Sequence, residues 1–309
     1  MSTLAAQLKR LRAQAGARHA PPSAGTVAEP TPGVRPAIPD VADPALRRLL
    51  LDTLARRPPV RPPASPGPSP AASDRALPGT ELAPGLHYRE QVPGLAADAG
   101  DAPLELVPLR ARTTPDSARR GQLLYFDTET TGLAGGTGTR AFMLGAADWH
   151  DGRLRVRQLW ITRLAAEPAM LDAFRGWLGP DTLLVSYNGK SYDAPLLAAR
   201  YRLARQDNPL AGLAHLDLLH PVRRRYRGAW ENCRLATVER RLLAIAREDD
   251  LPGSEAPRAF LDYLRGGPAG PFRRVLAHNH QDVVTLALLL ERLLATADAD
   301  PAAAGAPAT

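Results

Sequence analysis

Every one of the 16 aromatic side chains (4 Trp, 7 Tyr, 5 Phe) lies between Tyr88 and Phe272. That segregation decides where a core can form. A segment without aromatics and rich in Pro and Ala cannot bury enough apolar surface to offset its ordering entropy. Of the 31 prolines, 15 fall in the first 80 residues. The 309-residue chain therefore reads as a disordered Pro/Ala/Arg-rich arm over 1–79, one globular domain over 80–295, and a disordered Ala-rich tail over 296–309. A domain of that size supports a substantial core. Two equal lobes, a disulfide mini-protein and a coiled coil are excluded.

Within the arm, Leu4, Leu8 and Leu11, and again Leu46, Leu50 and Leu54, recur at helical spacing. Both stretches, 3–14 and 43–57, read as short helices. Two readings stay open for them: transient helices without a role, or docking helices for a protein partner or for the chain's own core. Residues 58–79 form a stiff extended linker.

The charge balance is basic, with 39 Lys and Arg against 32 Asp and Glu, and only Lys9 and Lys190 are lysines. Such an excess permits a polyanionic partner without requiring one, and an Arg bias also arises from genome base composition. Cys233 is the sole cysteine, so no intrachain disulfide forms and a reducing, cytoplasmic setting is expected. No apolar run is long enough for a membrane span. No long apolar run follows Lys9, Arg10 and Arg12, so a secretory leader is not expected.

Periodicity places short edge strands between Leu82 and Val107 and core strands at 122–127, 140–149, 153–161, 182–187 and 214–218. Asp151-Gly152 is a hairpin turn, and the glycine-rich run 132–138 is a loop. Helices are expected at 168–178, 193–205, 234–246, 256–265 and 271–295. Three antiparallel strands followed by alternating units imply an α/β fold with a mixed five-stranded sheet and helices packed on it.

Asp127 and Glu129 stand two apart on the first core strand and face the same way. Two carboxylates on one face repel unless a cation lies between them, and a divalent ion bound through oxygens does this. Asp193 opens a helix after the glycine turn of YNGKSYD, where an N-cap is the simpler account. Gly189-Lys190-Ser191 is not a Walker loop, because the required earlier glycine is Leu184. Lys190 remains a candidate phosphate contact. His278 and Asp282 are four apart on the last helix, and their face continues through Leu286, Leu289 and Leu293. A buried Asp without a partner is costly, so sharing cations with the strand carboxylates is the economical explanation. His280 lies off that face and is expected in solvent.

The blocks FDTETTGL, YNGKSYD and HNHQD, in that order, resemble the three motifs of DEDD-type 3′–5′ exonucleases of the RNase H-like superfamily. GGTGTRAFMLG, HLDLLHPVRR, ENCRLATVERRLL and DDLPGSEAP resemble its YprB-like branch. The resemblance spans residues 80–295. It implies a metal-dependent nuclease in which Asp127, Glu129, Asp193 and Asp282 hold two divalent ions, Mg²⁺ or Mn²⁺. It makes His278 the general base or the residue that orients water, Asn188 a contact at the strand's end, and Thr130 a substrate contact. In the family's His-type enzymes the His precedes the Asp by five positions, and here that position is Ala277. His278 occupies the slot where Tyr-type enzymes carry tyrosine. Alternatives that share the implied site are an RNase H-like endonuclease or junction-cleaving enzyme. A catalytically degenerate nucleic-acid-binding protein is the reading from a different class.

Between Leu219 and Arg247 there are eight Arg and two acids, Glu231 and Glu239. This strip, led by Arg223, Arg224 and Arg225, is the candidate track for a phosphate backbone, of DNA or RNA alike; a solvated helix face is the plainer reading. Tyr226 and Trp230 lie within it as candidate stacking platforms. Asp217 and His215 read as a structural pair.

Overall fold

The computed structural model describes residues 72–96, 102–109, 114–132, 138–247 and 251–298. The two leucine-spaced stretches, most of the linker and most of the glycine-rich run lie outside these residues. One sheet of seven strands dominates, in the order β1-β2-β7-β6-β5-β8-β9. These strands are β1 (Thr80–Ala83), β2 (Leu86–Gln91), β5 (Leu123–Thr130), β6 (Ala141–His150), β7 (Arg153–Ile161), β8 (Leu183–Ser186) and β9 (Ala214–Asp217). A separate two-stranded ribbon joins β3 (Leu104–Glu105) to β4 (Ser117–Ala118). The α/β class and all five expected core strands are present. The expected five-strand count is corrected to seven, because β1 and β2 pair as a hairpin and β2 then joins β7 antiparallel, Leu86 opposite Ile161. The exposed β1 and half-buried β2 give weak strand signals in the sequence.

The mixed character follows from connection length. The Asp151-Gly152 turn can only join antiparallel neighbours, β6 and β7. The helices α1 (Glu167–Arg175) and α2 (Asp193–Leu203) provide the crossovers that bring β8 parallel to β5 and β9 parallel to β8. A short helix α3 (Leu219–Tyr226), not among the expected helices, follows β9. The helix expected over 234–246 is instead α4 (Leu235–Val238), running into a π turn (Glu239–Leu243) that ends at left-handed Ala244. α5 spans Ala256–Leu264 and α6 spans Gly270–Asp298.

The arm boundary also moves. Residues 72–79 belong to the folded body: a 3₁₀ turn at Ala72–Arg75 docks there, with Arg75 NH1 donating to the Gly267 carbonyl at 2.6 Å. At the other end, α6 continues into the expected tail as far as Asp298.

Alternation along β5 sends Leu124 and Phe126 into one core cluster and Leu123 and Tyr125 into the other. α6 serves both: Phe272, Val275 and Leu276 join the first cluster, and Val283, Leu286, Leu290 and Leu293 the second. His278 and Asp282 sit between those runs, at the seam of the two cores. No described helix is long and apolar enough to cross a membrane.

Candidate active site

Asp127 and Glu129 extend the Leu123–Tyr125 face of β5 beyond its apolar stretch. Glu129 is buried, and Asp127 keeps partial exposure although atoms crowd round it. Burial pushes the Asp127 carboxyl well above the ordinary carboxylate range, and the charges of Asp282, Asp193 and Glu129 push it further. Three segments distant in sequence thus act on a single side chain. The Asp193 carboxyl is raised to about 6, chiefly by burial, with a hydrogen bond from Thr128 opposing the rise. Burial likewise raises Asp282, against the pull of His278 and Arg247.

Asp193 depends on a tightly built loop. Asn188 takes a left-handed backbone, with φ of 67°, a conformation that Asn tolerates. Its N–H donates to Asp217 Oδ1 at 2.7 Å, and the Lys190 N–H donates to Asp217 Oδ2 at 3.1 Å. A Cβ on Gly189 would lie 2.6 Å from Ser186 Oγ and 3.0 Å from Asp193 Oδ2, so only glycine lets the loop pass beneath the carboxylate. Asp217 therefore pins the loop. The hydrogen-bond partner of His215 is not Asp217 but Ser186 Oγ, at 2.8 Å. The Lys190 ammonium lies 3.3 Å from the His215 carbonyl.

Sequence reasoning passed over three residues. Asn279 is fully buried and donates to Asp127 Oδ2 at 2.9 Å, while its own oxygen accepts from Gln158 Nε2 at 3.1 Å. Its signal was a polar residue at a core-facing position, three before Asp282. Glu239 and Arg247 had been assigned to the basic strip, yet they form a buried ion pair, 2.6 Å from Nε to Oε2, and Arg247 also bonds Asp282 and His278. Burial works against the Arg247 charge, but Glu239 and Asp282 more than compensate and raise its pKa.

Other arginines of the strip also have partners within the chain. Arg224 donates to the Pro108 carbonyl and Arg225 to Thr296, while Arg240 and Arg241 pair with Glu231. Thr296 is fourteen residues beyond Asp282 on α6, about 21 Å along a helix axis. Arg223, Arg227 and Arg234 remain exposed. Tyr226 and Trp230 stack on each other, with ring centroids 4.0 Å apart. Thr130 Oγ1 donates to the Gly132 carbonyl. His280 is half-buried rather than solvated, and burial lowers its pKa.

Among the described residues, no three His, Cys, Asp or Glu side chains stand arranged as a ready metal cage. Asp193 gives one oxygen to Thr128 and Asp282 gives one to Arg247. The donor chemistry nevertheless fits a hard divalent cation: every acid offers oxygen, and crowded, buried carboxylates of one sign are costly without positive charge.

The chain resembles known proteins. It is 37% identical over 168 residues to the uncharacterized protein YprB of Bacillus subtilis, a match covering 54% of this chain and 40% of that one. The chain thus spans about two fifths of that curated relative's length. A family B DNA polymerase from Pyrobaculum calidifontis is similar at 18% identity and a TM-score of 0.43, over 56% of this chain and 24% of that one. The RNase_H_2 family model matches residues 124–294, from the first core strand through most of α6. On that match the chain belongs to the RNase_H_2 family of the RNase_H superfamily.

Proposed function

We propose that this protein is a divalent-metal-dependent nuclease that hydrolyses phosphodiester bonds of nucleic acid, acting as a 3′–5′ exonuclease of the two-metal type. One observation carries the reading: Glu129, Asp193 and Asp282 all raise the Asp127 carboxyl, in surroundings that make such repulsion costly. Asp127, Glu129, Asp193 and Asp282 would hold the two ions, Mg²⁺ or Mn²⁺. When bound, such ions supply positive charge to the phosphate oxygens and lower the pKa of the attacking water.

The chain's own groups do the rest. Asn279, braced by Gln158, fixes the orientation of Asp127. Thr128 steadies Asp193, and Asp217 fixes the preceding loop. His278, one helical turn before Asp282 on the same face of α6, is assigned the proton of the attacking water. A new bond forms from water oxygen to phosphorus as the bond to the 3′ oxygen breaks.

The test is cleavage of end-labelled single- and double-stranded DNA and RNA with Mn²⁺ or Mg²⁺, resolved by product length. A ladder receding from the 3′ end is expected. Internal fragments would replace the exonuclease by an endonuclease, and intact substrate of every class would leave a binding protein.

A second expectation concerns the backbone track. Arg223→Gln should reduce the slope of log binding constant against log salt by about 1. Arg225→Gln should lower the melting temperature and leave that slope alone, since Arg225 is tied to Thr296. Equal slopes for wild type and Arg223→Gln would remove Arg223 from the track.

A further inference from the structure

Arg247 follows the π turn and left-handed Ala244, and its side chain is only 11% exposed. One edge of its guanidinium is held by Glu239, from Nε to Oε2 at 2.6 Å and from NH2 to Oε1 at 2.7 Å. Thr285 of α6 donates a further hydrogen bond to Glu239, which is itself buried. The other edge reaches α6. NH2 bonds Asp282 Oδ1, and NH1 lies 3.1 Å from His278 Nδ1. A guanidinium only donates, so Nδ1 is the accepting nitrogen. The other ring nitrogen, Nε2, faces Asp282 Oδ2 at 3.5 Å. One arginine thus covers both a carboxylate expected to hold an ion and a nitrogen of the imidazole expected to handle a proton.

We propose that Arg247 is the resident cation of the metal-free acid cluster, competing with a divalent ion for Asp282, so that its departure frees Asp282 and His278 together. This rests on the metal-dependent reading above. A single guanidinium shared by Glu239 and Asp282 leaves one negative charge over. A hard dication is the stronger partner for Asp282 oxygen and offsets the loss of the guanidinium contact. Both hydrogen bonds to Glu239 survive the exchange, so Arg247 stays tethered beside the site.

The experiment is calorimetric titration of MnCl₂ into the metal-free full chain, with thermal melts in chelator and at saturating Mn²⁺. Arg247→Met combined with Glu239→Gln avoids a stranded Glu239 charge and leaves Asp282 without its guanidinium, and Gln still accepts from Thr285. This double variant should bind Mn²⁺ about tenfold more tightly or better, the equivalent of one charge-assisted hydrogen bond no longer competing. Its metal-free melting temperature should fall below wild type, and the gap should narrow with Mn²⁺. Tighter binding combined with lower metal-free stability is a pairing that a merely structural arginine does not give. Arg247→Lys, which cannot grip Glu239 with two bonds and reach Asp282 at once, should also bind Mn²⁺ more tightly and decides the matter if the double variant fails to fold. Wild type binding Mn²⁺ with an affinity equal to or better than the variants overturns this inference alone. Absence of Mn²⁺ binding by wild type and variants alike overturns the metal-dependent reading and this inference with it.

Discussion

Asp127→Asn is expected to reduce cleavage by on the order of a thousandfold or more, while raising the melting temperature of the metal-free protein at neutral pH. The loss follows from removing a carboxylate proposed to share ions whose charge stabilisation is worth several kcal/mol, at about 1.4 kcal/mol per decade of rate. The gain in stability has the same origin. Burial and three neighbouring carboxylates hold the Asp127 carboxyl above its ordinary value. A group with a raised folded-state pKa keeps a proton that the unfolded chain has released. Its favourable contribution is complete at low pH and is lost as pH rises through the folded pKa. For Asp127 that loss starts in the ordinary carboxylate range and continues upward to its raised folded-state value. Asn cannot ionise, matches Asp in shape, and can still present an oxygen to Asn279 Nδ2. Melts in chelator across pH 4 to 8 should show the variant ahead of wild type at pH 7, with the gap closing near pH 4. Wild-type cleavage rates, or a lower melting point at pH 7, would contradict the role given to Asp127.

Gly145→Ala should be among the most damaging single-methyl additions available to this fold. Gly145 sits on β6 directly between Asp127 on β5 and Gln158 on β7 in the strand register. Asn279 from α6 crosses over it, and an added Cβ would lie 2.0 Å from the Asn279 side-chain oxygen and 2.8 Å from its Cγ. Asn279 cannot step aside, being fully buried and held by Gln158 on one side and Asp127 on the other. Overpacking costs about 1–3 kcal/mol, and loss of buried hydrogen bonds adds about 1–3 kcal/mol. Denaturant midpoints should fall accordingly, and cleavage should fall with them as Asp127 loses its donor. Adding Asn279→Ala removes the clash, so the double variant should recover part of the stability and none of the cleavage. A Gly145→Ala protein as stable as wild type would show that Asn279 does not cross the sheet at this point.

Much of the architecture is legible along the chain because its signals are local. The strand at 153–161 reads directly from the alternation of Arg153, Arg155 and Arg157 with Leu154 and Val156 after the Asp151-Gly152 turn. α2 starts where Asp193 and Pro195 announce it, and the apolar stripe beyond Asp282 announces most of α6. Elements whose form depends on distant partners are not legible. Residues 234–246 carry helical periodicity, yet the helix widens into a π turn at Glu239–Leu243 and stops at Ala244. Helix propensity is a weak preference. At that turn Glu239 pairs with Arg247 and accepts a hydrogen bond from Thr285, partners distant in sequence or beyond the helix. The β1–β2 hairpin is faint because β1 is mostly exposed, β2 is only half-buried, and neither has a strict apolar alternation.

The same division runs through the candidate site. Asp127, Glu129, His278 and Asp282 are visible in the sequence as polar residues beside apolar runs, whereas Asp193, for which an N-cap is the simpler account, stands out only through the resemblance of its block to a family motif. Asn279, Glu239 and Arg247 are ordinary polar residues in sequence. They became part of the site only when folding set α6 across β5 and β6 and brought the π turn against it. Sequence alone decided which segments carry strands, helices and acids, because hydrophobic period and turn chemistry act over a few neighbouring residues. Tertiary structure alone decided which charge meets which. Arg247 reads as solvent-facing until burial removes the water that would otherwise screen it and leaves Glu239, Asp282 and His278 as its partners.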